Sequence, residues 1–276
     1  MNKPVFGRKA TAPPSPPPSP PPSGDDGGGG GGERGRAVTM PWRDTPDAIA
    51  GNLAYAHLTN NLPIRVAIDD RLHAETLLAA AGAVCGYCCQ RAVLERVDAG
   101  EKFEGDRLLR MRLANGHSYW LGDALTELFY GGPGPIAPAN ENLWRMLSGT
   151  AVAKGLARDR LPTPAEIFSP MAASLGQPDE GRPTTGPDHQ PLLPIHELLH
   201  AVWPLVQDCL IGRFAKLGGM EFPAPVRIWP AVTAWAAVQC FGRTLPVLDP
   251  RSGVLIVMQS AAFGSKLDRS RVEQLR

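Results

Sequence analysis

The chain has 276 residues, of which 29 are proline and 30 are glycine, and its formal net charge is +1. This near-neutral charge argues against a protein that binds nucleic acid electrostatically, and five cysteines, an odd number, argue against a disulfide framework. The first 30 residues contain no apolar stretch typical of a secretory leader. The most apolar segment, Trp229 to Phe241, is shorter than the roughly 18–20 residues of a membrane helix. We therefore expect a soluble, cytoplasmic protein that binds neither nucleic acid nor membranes.

The first part of the chain is dominated by proline, serine and glycine. Pro13 to Pro22 is nearly all proline and serine, and Gly27 to Gly32 is an unbroken glycine run. Such sequences cannot bury an apolar core, so residues 1–38 are predicted to be a disordered tail and residues 39–276 a folded domain. A plain spacer is the favoured role of the tail. A ligand for a proline-binding domain and a translation start at Met40 are the alternatives.

Helix-start signals and apolar residues at three- and four-residue steps predict that most of the domain is helical. The clearest pattern gives a helix from about Arg71 to Val97, in which Gly82 and Gly86 would let another backbone approach closely. The Asp249-Pro250 pair favours a helix for the apolar run from Val254 to Ala262, although its composition would also fit a strand. The other predicted helices cover residues 45–56, 123–130, 140–156, 163–176, 195–216 and a segment from residue 230.

Two β elements are also predicted. Leu109, Met111 and Leu113 alternate with arginines, and Asn115-Gly116 supplies a tight turn, which indicates a β-hairpin. The β-branched run from Ile64 to Ile68 indicates a short strand.

The segment 177–193 contains four prolines and two glycines. It is predicted to be a long mobile loop, with a functional lid as the alternative, and it is the one plausible domain boundary. The predicted fold class is therefore mostly α: a single helical domain with one small β-hairpin, preceded by the disordered tail.

One short motif could carry chemistry. His196-Glu197-Leu198-Leu199-His200 matches the pattern H-E-x-x-H, which places two imidazoles on one helix face. The motif resembles that of zincin metallopeptidases. The resemblance implies that His196 and His200 bind Zn²⁺, that Glu197 acts as the general base, and that Glu221 is the third metal ligand.

Two features favour an ordinary helix instead. Pro194 stands two residues before His196, so the histidine pair would lie in the first helical turns, whereas Glu221 falls in a glycine-rich stretch that predicts a loop. The apolar residues of the same helix would bury one face and leave both histidines beside it.

Two other groups of reactive residues have simpler interpretations. Cys85, Cys88 and Cys89 lie in the middle of a predicted apolar helix, and we expect them to pack as small hydrophobic residues. The cluster Asp69, Asp70, His73 and Glu75 could be a metal or acid–base site, but a helix N-cap with acids in the first turn is favoured.

Seven short stretches carry a family resemblance: His73-Ala74-Glu75-Thr76-Leu77-Leu78-Ala79, Pro164-Ala165-Glu166-Ile167-Phe168, Ser174-Leu175-Gly176-Gln177-Pro178, Val202-Trp203-Pro204, Leu248-Asp249-Pro250, Val257-Met258-Gln259-Ser260-Ala261 and Ser265-Lys266-Leu267-Asp268. Together they resemble an uncharacterised family of proteobacterial cytosolic proteins. That resemblance implies no activity.

Caps and core packing explain almost every polar cluster. The favoured function is accordingly a non-enzymatic cytosolic binding or scaffold protein that needs no cofactor and acts on a protein partner or as a homo-oligomer. The alternative is a zinc-dependent hydrolase that uses His196, Glu197 and His200.

Overall fold

The computed structural model describes residues 40–132, 142–214, 216–217 and 220–273, and the predicted disordered tail at residues 1–38 lies outside them. Within these residues the chain is mostly helical, with nine α-helices and a small β-hairpin, so the predicted fold class is confirmed for this part of the chain. The helices are α1 Ala48–Val66, α2 Ala74–Asp98, α3 Asp123–Tyr130, α4 Leu143–Ala153, α5 Pro164–Ala173, α6 Ile195–Leu210, α7 Trp229–Thr244, α8 Pro250–Gly264 and α9 Arg269–Val272.

The core is built around α2, which packs mainly against α7 and α8. A Cβ atom on Gly82 would clash with the carbonyl oxygen of Val257, and one on Gly86 would clash with that of Ala261. The two glycines therefore let the backbones of α2 and α8 touch, as their spacing predicts. We call these four residues the α2–α8 seam.

Helix α2 contradicts the expectation that no apolar segment of the chain is long enough to cross a membrane. Among the described residues it is the one helix long and apolar enough to cross a membrane, so the view that no apolar run approaches that length was wrong. Its most apolar window is 89% buried inside the molecule. A helix covered in this way is typical of the core of a soluble protein.

The predicted strand from Ile64 to Ile68 is wrong. Helix α1 continues through Pro63 to Val66, because Leu62 and Val66 are buried one turn apart against the core. This packing outweighs the strand preference of β-branched residues. It also leaves Ile64 on the outer face of the helix, 72% exposed.

Capping residues set several other helix ends. Thr163 and Glu166 form the predicted capping box at the start of α5. The Asp249 carboxylate accepts a hydrogen bond from Ser252 N at 2.9 Å, which confirms a helix in the last apolar run. Helix α6 ends at Leu210, six residues earlier than predicted, because the chain turns at Gly212 with φ +78°.

The predicted β-hairpin is confirmed. Strands β1 (Leu109–Arg112) and β2 (Ser118–Leu121) are antiparallel, with Met111 opposite Tyr119. A second, much smaller hairpin pairs β3 (Lys216–Leu217) with β4 (Met220–Glu221).

Residues 177–193 are held against the domain by hydrogen bonds along their length. Gly181 O accepts a bond from Ile195 N at 2.8 Å, and Thr184 exchanges two bonds with the buried Gln259 side chain of α8. Leu192 N donates to Thr76 Oγ1 in the first turn of α2 at 3.0 Å. The segment thus crosses the surface from α5 to α6 in contact with the core helices.

Candidate functional site

The four residues of the zinc hypothesis lie on two elements. His196, Glu197 and His200 occupy the first two turns of α6, directly after Pro194, and Glu221 lies on β4. Glu197, His200 and Glu221 are exposed, and His196 is half-buried. The two residues closest together are His196 and Glu197, with 3.9 Å between Nε2 and Oε1.

Within the described residues, no group of three or more His, Cys, Asp or Glu side chains is placed to hold a metal ion. His196, His200 and Glu221 are therefore not gathered into a three-ligand site. The zinc-dependent activity stays a prediction.

His196 instead packs beside a buried ionic network. The network, which we call the Glu180 network, consists of Glu180, Tyr119 and Arg271. Arg271 Nη1 donates to Glu180 Oε1 at 2.6 Å and to Tyr119 Oη at 2.8 Å, and Tyr119 Oη donates to the same carboxylate oxygen at 2.7 Å. Gly176 N donates to the second carboxylate oxygen at 2.9 Å.

The Glu180 network joins distant parts of the chain: the hairpin, the segment after α5 and the last helix. Burial by itself would raise the pKa of the Glu180 carboxyl, but the hydrogen bonds from Arg271 and Tyr119 outweigh it and lower this pKa. Burial likewise raises the pKa of the Tyr119 hydroxyl. The network therefore holds a carboxylate and a guanidinium as a charged pair, which fixes the ends of these segments together.

The environment of His196 favours its neutral form. Burial, and then the nearby Arg271 charge, lower the pKa of the imidazole. Its Nδ1 atom is buried without a hydrogen-bond partner among the described residues, and a Cβ on Gly181 would lie 3.3 Å from it. His196 therefore fills space between α6 and the segment 177–193.

The cysteines are confirmed as core residues. All five thiols are free and buried. Burial raises the pKa of Cys88 and Cys89 well above the usual value, and that of Cys209 and Cys240 to about 12. These four thiols stay protonated and are poor nucleophiles at neutral pH.

A second buried carboxylate lies at the start of α2. His73 is the N-cap of this helix and accepts a hydrogen bond from Thr76 N, and Glu75 lies in the first turn, as the favoured interpretation predicts. The Glu75 carboxylate lies 3.4 Å from His73 Nε2 and 3.1 Å from Nδ1 of His189, a residue of segment 177–193. Glu75 thus ties that segment to α2.

Asp69 and Asp70 form a tight turn with a left-handed backbone just before this cap. Ile68 and Arg71 exchange two backbone hydrogen bonds, and between them Asp69 has φ +49° and Asp70 φ +57°. These are the only non-glycine residues with positive φ in the described ranges. Apart from glycine, aspartate and asparagine are the residues that adopt this conformation most readily, so glycine would fit the two positions with only a modest gain.

The turn forms one edge of an open pocket of about 470 Å³. We call it the turn pocket, and its lining residues are Pro63, Ile64, Ala67, Asp69, Asp70 and Leu72. Beside it Ile68 is 56% exposed. Leu192, which is bonded to the first turn of α2, exposes a further aliphatic side chain at the same end of the helix.

Sequence reasoning missed both the turn pocket and the Glu180 network. The aspartate pair was noticed, but its backbone conformation was not, because Asp-Asp is not the Asn-Gly or Asp-Gly signal of such turns. The members of the Glu180 network are separated by 61 to 152 positions and form no local pattern.

Comparisons with known proteins gave no match: no family model, curated protein or solved structure is significantly similar to this chain. The resemblance to a proteobacterial family therefore stays a prediction.

Proposed function

We propose that this protein is a cytoplasmic binding protein that acts on a partner protein through the turn pocket, and not by catalysis. The observation that supports this proposal most directly is the pair Asp69 and Asp70. Both are held in a left-handed conformation at the edge of an exposed apolar surface. Glycine would fit both positions at least as well, so the presence of two carboxylates at this exposed turn is a reason to expect a role for the side chains.

The apolar side of the pocket supports binding as well. Ile64 and Ile68 leave 72% and 56% of their surface in water, and Ile64 is the most exposed large hydrophobic residue in the described part of the chain. Adjacent exposed aliphatic side chains at one end of a fold are typical of interaction sites.

The chemistry of the pocket fits a basic segment of the partner. The aliphatic stem of a lysine or arginine would lie against Pro63, Ile64 and Leu72, and its cationic head would reach the carboxylates of Asp69 and Asp70. Such a charge pair at a partly desolvated edge adds specificity to the apolar contact.

The experiment is quantitative capture of proteins from a lysate of the source organism, followed by reconstitution with the purified partner. Ile64→Ser and Asp69→Asn with Asp70→Asn should each weaken binding of that partner at least tenfold. Ile49→Ser is the matched control, because Ile49 lies on the same helix, is 53% exposed and is outside the pocket.

Sedimentation velocity supplies the second readout. If the wild type sediments as a dimer and Ile64→Ser dissociates it, the partner at the turn pocket is a second copy of this chain and not a basic segment of another protein. Equal binding by all variants, or a partner without a basic segment at the contact, would contradict the proposal.

A further inference from the structure

Within the residues that the structure describes, the outer edge of strand β1 is unpaired. The strand pairs with β2 along one side, and all four of its residues are exposed. The outer edge of β2, in contrast, is covered, because Trp120 N donates to the carbonyl oxygen of Lys266 at 2.8 Å and Tyr119 forms a β-bridge with Leu267. The hairpin is therefore closed on one side and open on the other.

The register of the hairpin shows which backbone groups lie on the open edge. Leu113 N donates to the carbonyl oxygen of His117 at 2.9 Å, and along an antiparallel ladder such bonded pairs alternate with non-bonded pairs. The N–H and C=O groups of Arg110 and Arg112 therefore point away from β2. Trp120, opposite Arg110, agrees with this alternation, since its own N–H also points out of the hairpin. The open edge thus carries two donors and two acceptors.

The inner face of β1 is apolar and incompletely covered. Met111 lies opposite the buried Tyr119, so the side chains of Leu109 and Met111 lie on the face that packs on the domain. Both stay partly in water, with 47% and 38% of their surface exposed. A strand added at the open edge would place every second side chain beside them and cover this apolar surface.

The outer face of β1 carries the two arginines. Arg110 is already engaged, because its Nη2 donates to Asp268 at 2.7 Å and its guanidinium lies 5.7 Å from the centroid of the Trp120 ring. Arg112 has no ion-pair partner in the described ranges. In an added strand the residue opposite Arg112 would have its Cβ about 4.5–5.5 Å away, so the sign of its charge would matter.

We propose that β1 binds an extended segment of a partner protein as a third, antiparallel strand, with an acidic side chain opposite Arg112 and apolar side chains opposite Met111 and Leu109. Strand addition of this kind gains affinity from main-chain hydrogen bonds and specificity from alternate side chains. The position opposite Arg110 takes a small polar residue, because a carboxylate there would meet Asp268. A second copy of the chain is disfavoured, since two antiparallel β1 strands would bring arginines together. This edge shares no residue with the turn pocket, whose partner is basic.

The probe is the capped peptide Ac-Val-Glu-Val-Thr-Val-NH2, added to the full-length protein and followed by NMR. In antiparallel pairing its glutamate lies opposite Arg112 and its threonine opposite Arg110. We expect larger amide shifts at these two arginines than at Leu109 and Met111, because only the arginine N–H groups form new hydrogen bonds. A peptide with lysine in place of the glutamate should bind about fivefold more weakly, since it brings like charges together.

Methylation of the peptide nitrogens separates backbone pairing from other contacts. Methyl groups on the glutamate and threonine nitrogens remove the N–H groups that face β1, and they should abolish the amide shifts at Arg110 and Arg112. A methyl group on the central valine is the matched control. Its N–H points away from β1, so this peptide should bind within about twofold of the unmodified one.

Exchange of charge at Arg112 supplies an independent arm. Arg112→Glu should weaken the glutamate peptide about fivefold and should bind the lysine peptide in preference to it. Arg158→Glu makes the same change of charge at an exposed residue of the 3₁₀ turn Arg158–Arg160 and should leave both affinities unchanged.

Three results would overturn the proposal. They are amide shifts that are largest outside β1, equal binding of the glutamate and lysine peptides to the wild type, and equal loss of binding from methyl groups at either kind of position. Shifts at Arg110 and Arg112 that grow with protein concentration in the absence of peptide would assign the edge to a second copy of the chain, and would overturn it as well.

Discussion

The turn pocket lies just before α2, and the α2–α8 seam lies within that helix and its neighbour α8, yet sequence and structure agree in the seam and differ in the pocket. In the seam every residue is small or apolar, and backbone contact explains why Gly82 and Gly86 are glycines. In the turn pocket Asp69 and Asp70 hold positive φ angles that glycine would adopt more readily, and Ile64 is left in water. Residues that folding does not explain are the best candidates for function. The expectations below test this contrast, from the largest effect to the smallest.

The largest effect is expected in the seam. Gly86→Ala should lower the free energy of unfolding by about 3 kcal/mol, because the added methyl group would overlap the carbonyl group of Ala261 and force two helices apart. Urea denaturation measures the change. The matched control is Gly242→Ala in α7, where space is open and alanine should stabilise the helix by about 0.5–1 kcal/mol. Similar effects of the two substitutions would show that the seam is not tightly packed.

The Glu180 network should give the next largest effect. Glu180→Gln keeps the shape of the side chain but leaves Arg271 without its carboxylate, and it should lower the free energy of unfolding by about 2 kcal/mol. Glu180 and Arg271 are partly exposed, so the expected loss of stability is smaller than for a fully buried ion pair. Glu197→Gln, at an exposed residue that takes no part in the hydrogen bonds of the network, should change stability by less than about 0.5 kcal/mol. The two variants are compared by the same urea denaturation.

A smaller effect of opposite sign is expected at the turn. Asp70→Gly should raise the free energy of unfolding by about 1 kcal/mol, because glycine adopts φ +57° without strain. The same change should weaken binding of the basic partner, since one carboxylate is lost. A variant that is both less stable and unchanged in binding would contradict the view that aspartate occupies this turn for its carboxylate.

The smallest effect concerns pH. Burial and Arg271 lower the pKa of His196, so its neutral form stabilises the folded state above the ordinary imidazole pKa, and this contribution is lost as pH falls through the lowered value. The charged groups that face it are Arg271, Glu180, Glu197 and His117. His196→Gln should flatten the decline in stability between pH 7 and pH 5, measured by denaturation at each pH. His200→Gln, at an exposed position on the same helix, should leave the decline as it is in the wild type.

Much of the fold follows from local pattern. Helix α2 is evident from apolar periodicity, the start of α5 from the Thr163 capping box, and the hairpin from Asn115-Gly116. The residues that form each of these signals lie within a few positions of one another, so the sequence alone reveals each signal.

The errors have a common physical cause. The run from Ile64 to Ile68 looks like a strand until the burial of Leu62 and Val66 is known, and that burial depends on helices far along the chain. Likewise, nothing near Glu180 shows that Arg271 will reach it. Tertiary contacts outweigh local preference at both places.

The candidate site was less predictable than the fold. His196, Glu197 and His200 attract attention because they match a short pattern, but the structure leaves Glu197 and His200 exposed and packs His196 against the segment 177–193. The turn pocket has no such pattern. It depends on a backbone angle at Asp69 and Asp70, which residue identity alone does not reveal.

Photo-crosslinking in the living source cell tests the proposed function most directly. A benzophenone amino acid is placed at Ile68, beside the turn pocket, and in a parallel strain at Ile49 as the control. We predict one dominant adduct from position 68, joined to a partner peptide that contains lysine or arginine, and its loss when Asp69 and Asp70 are both changed to asparagine. No adduct at position 68, or the same adducts from both positions, would contradict binding through the turn pocket.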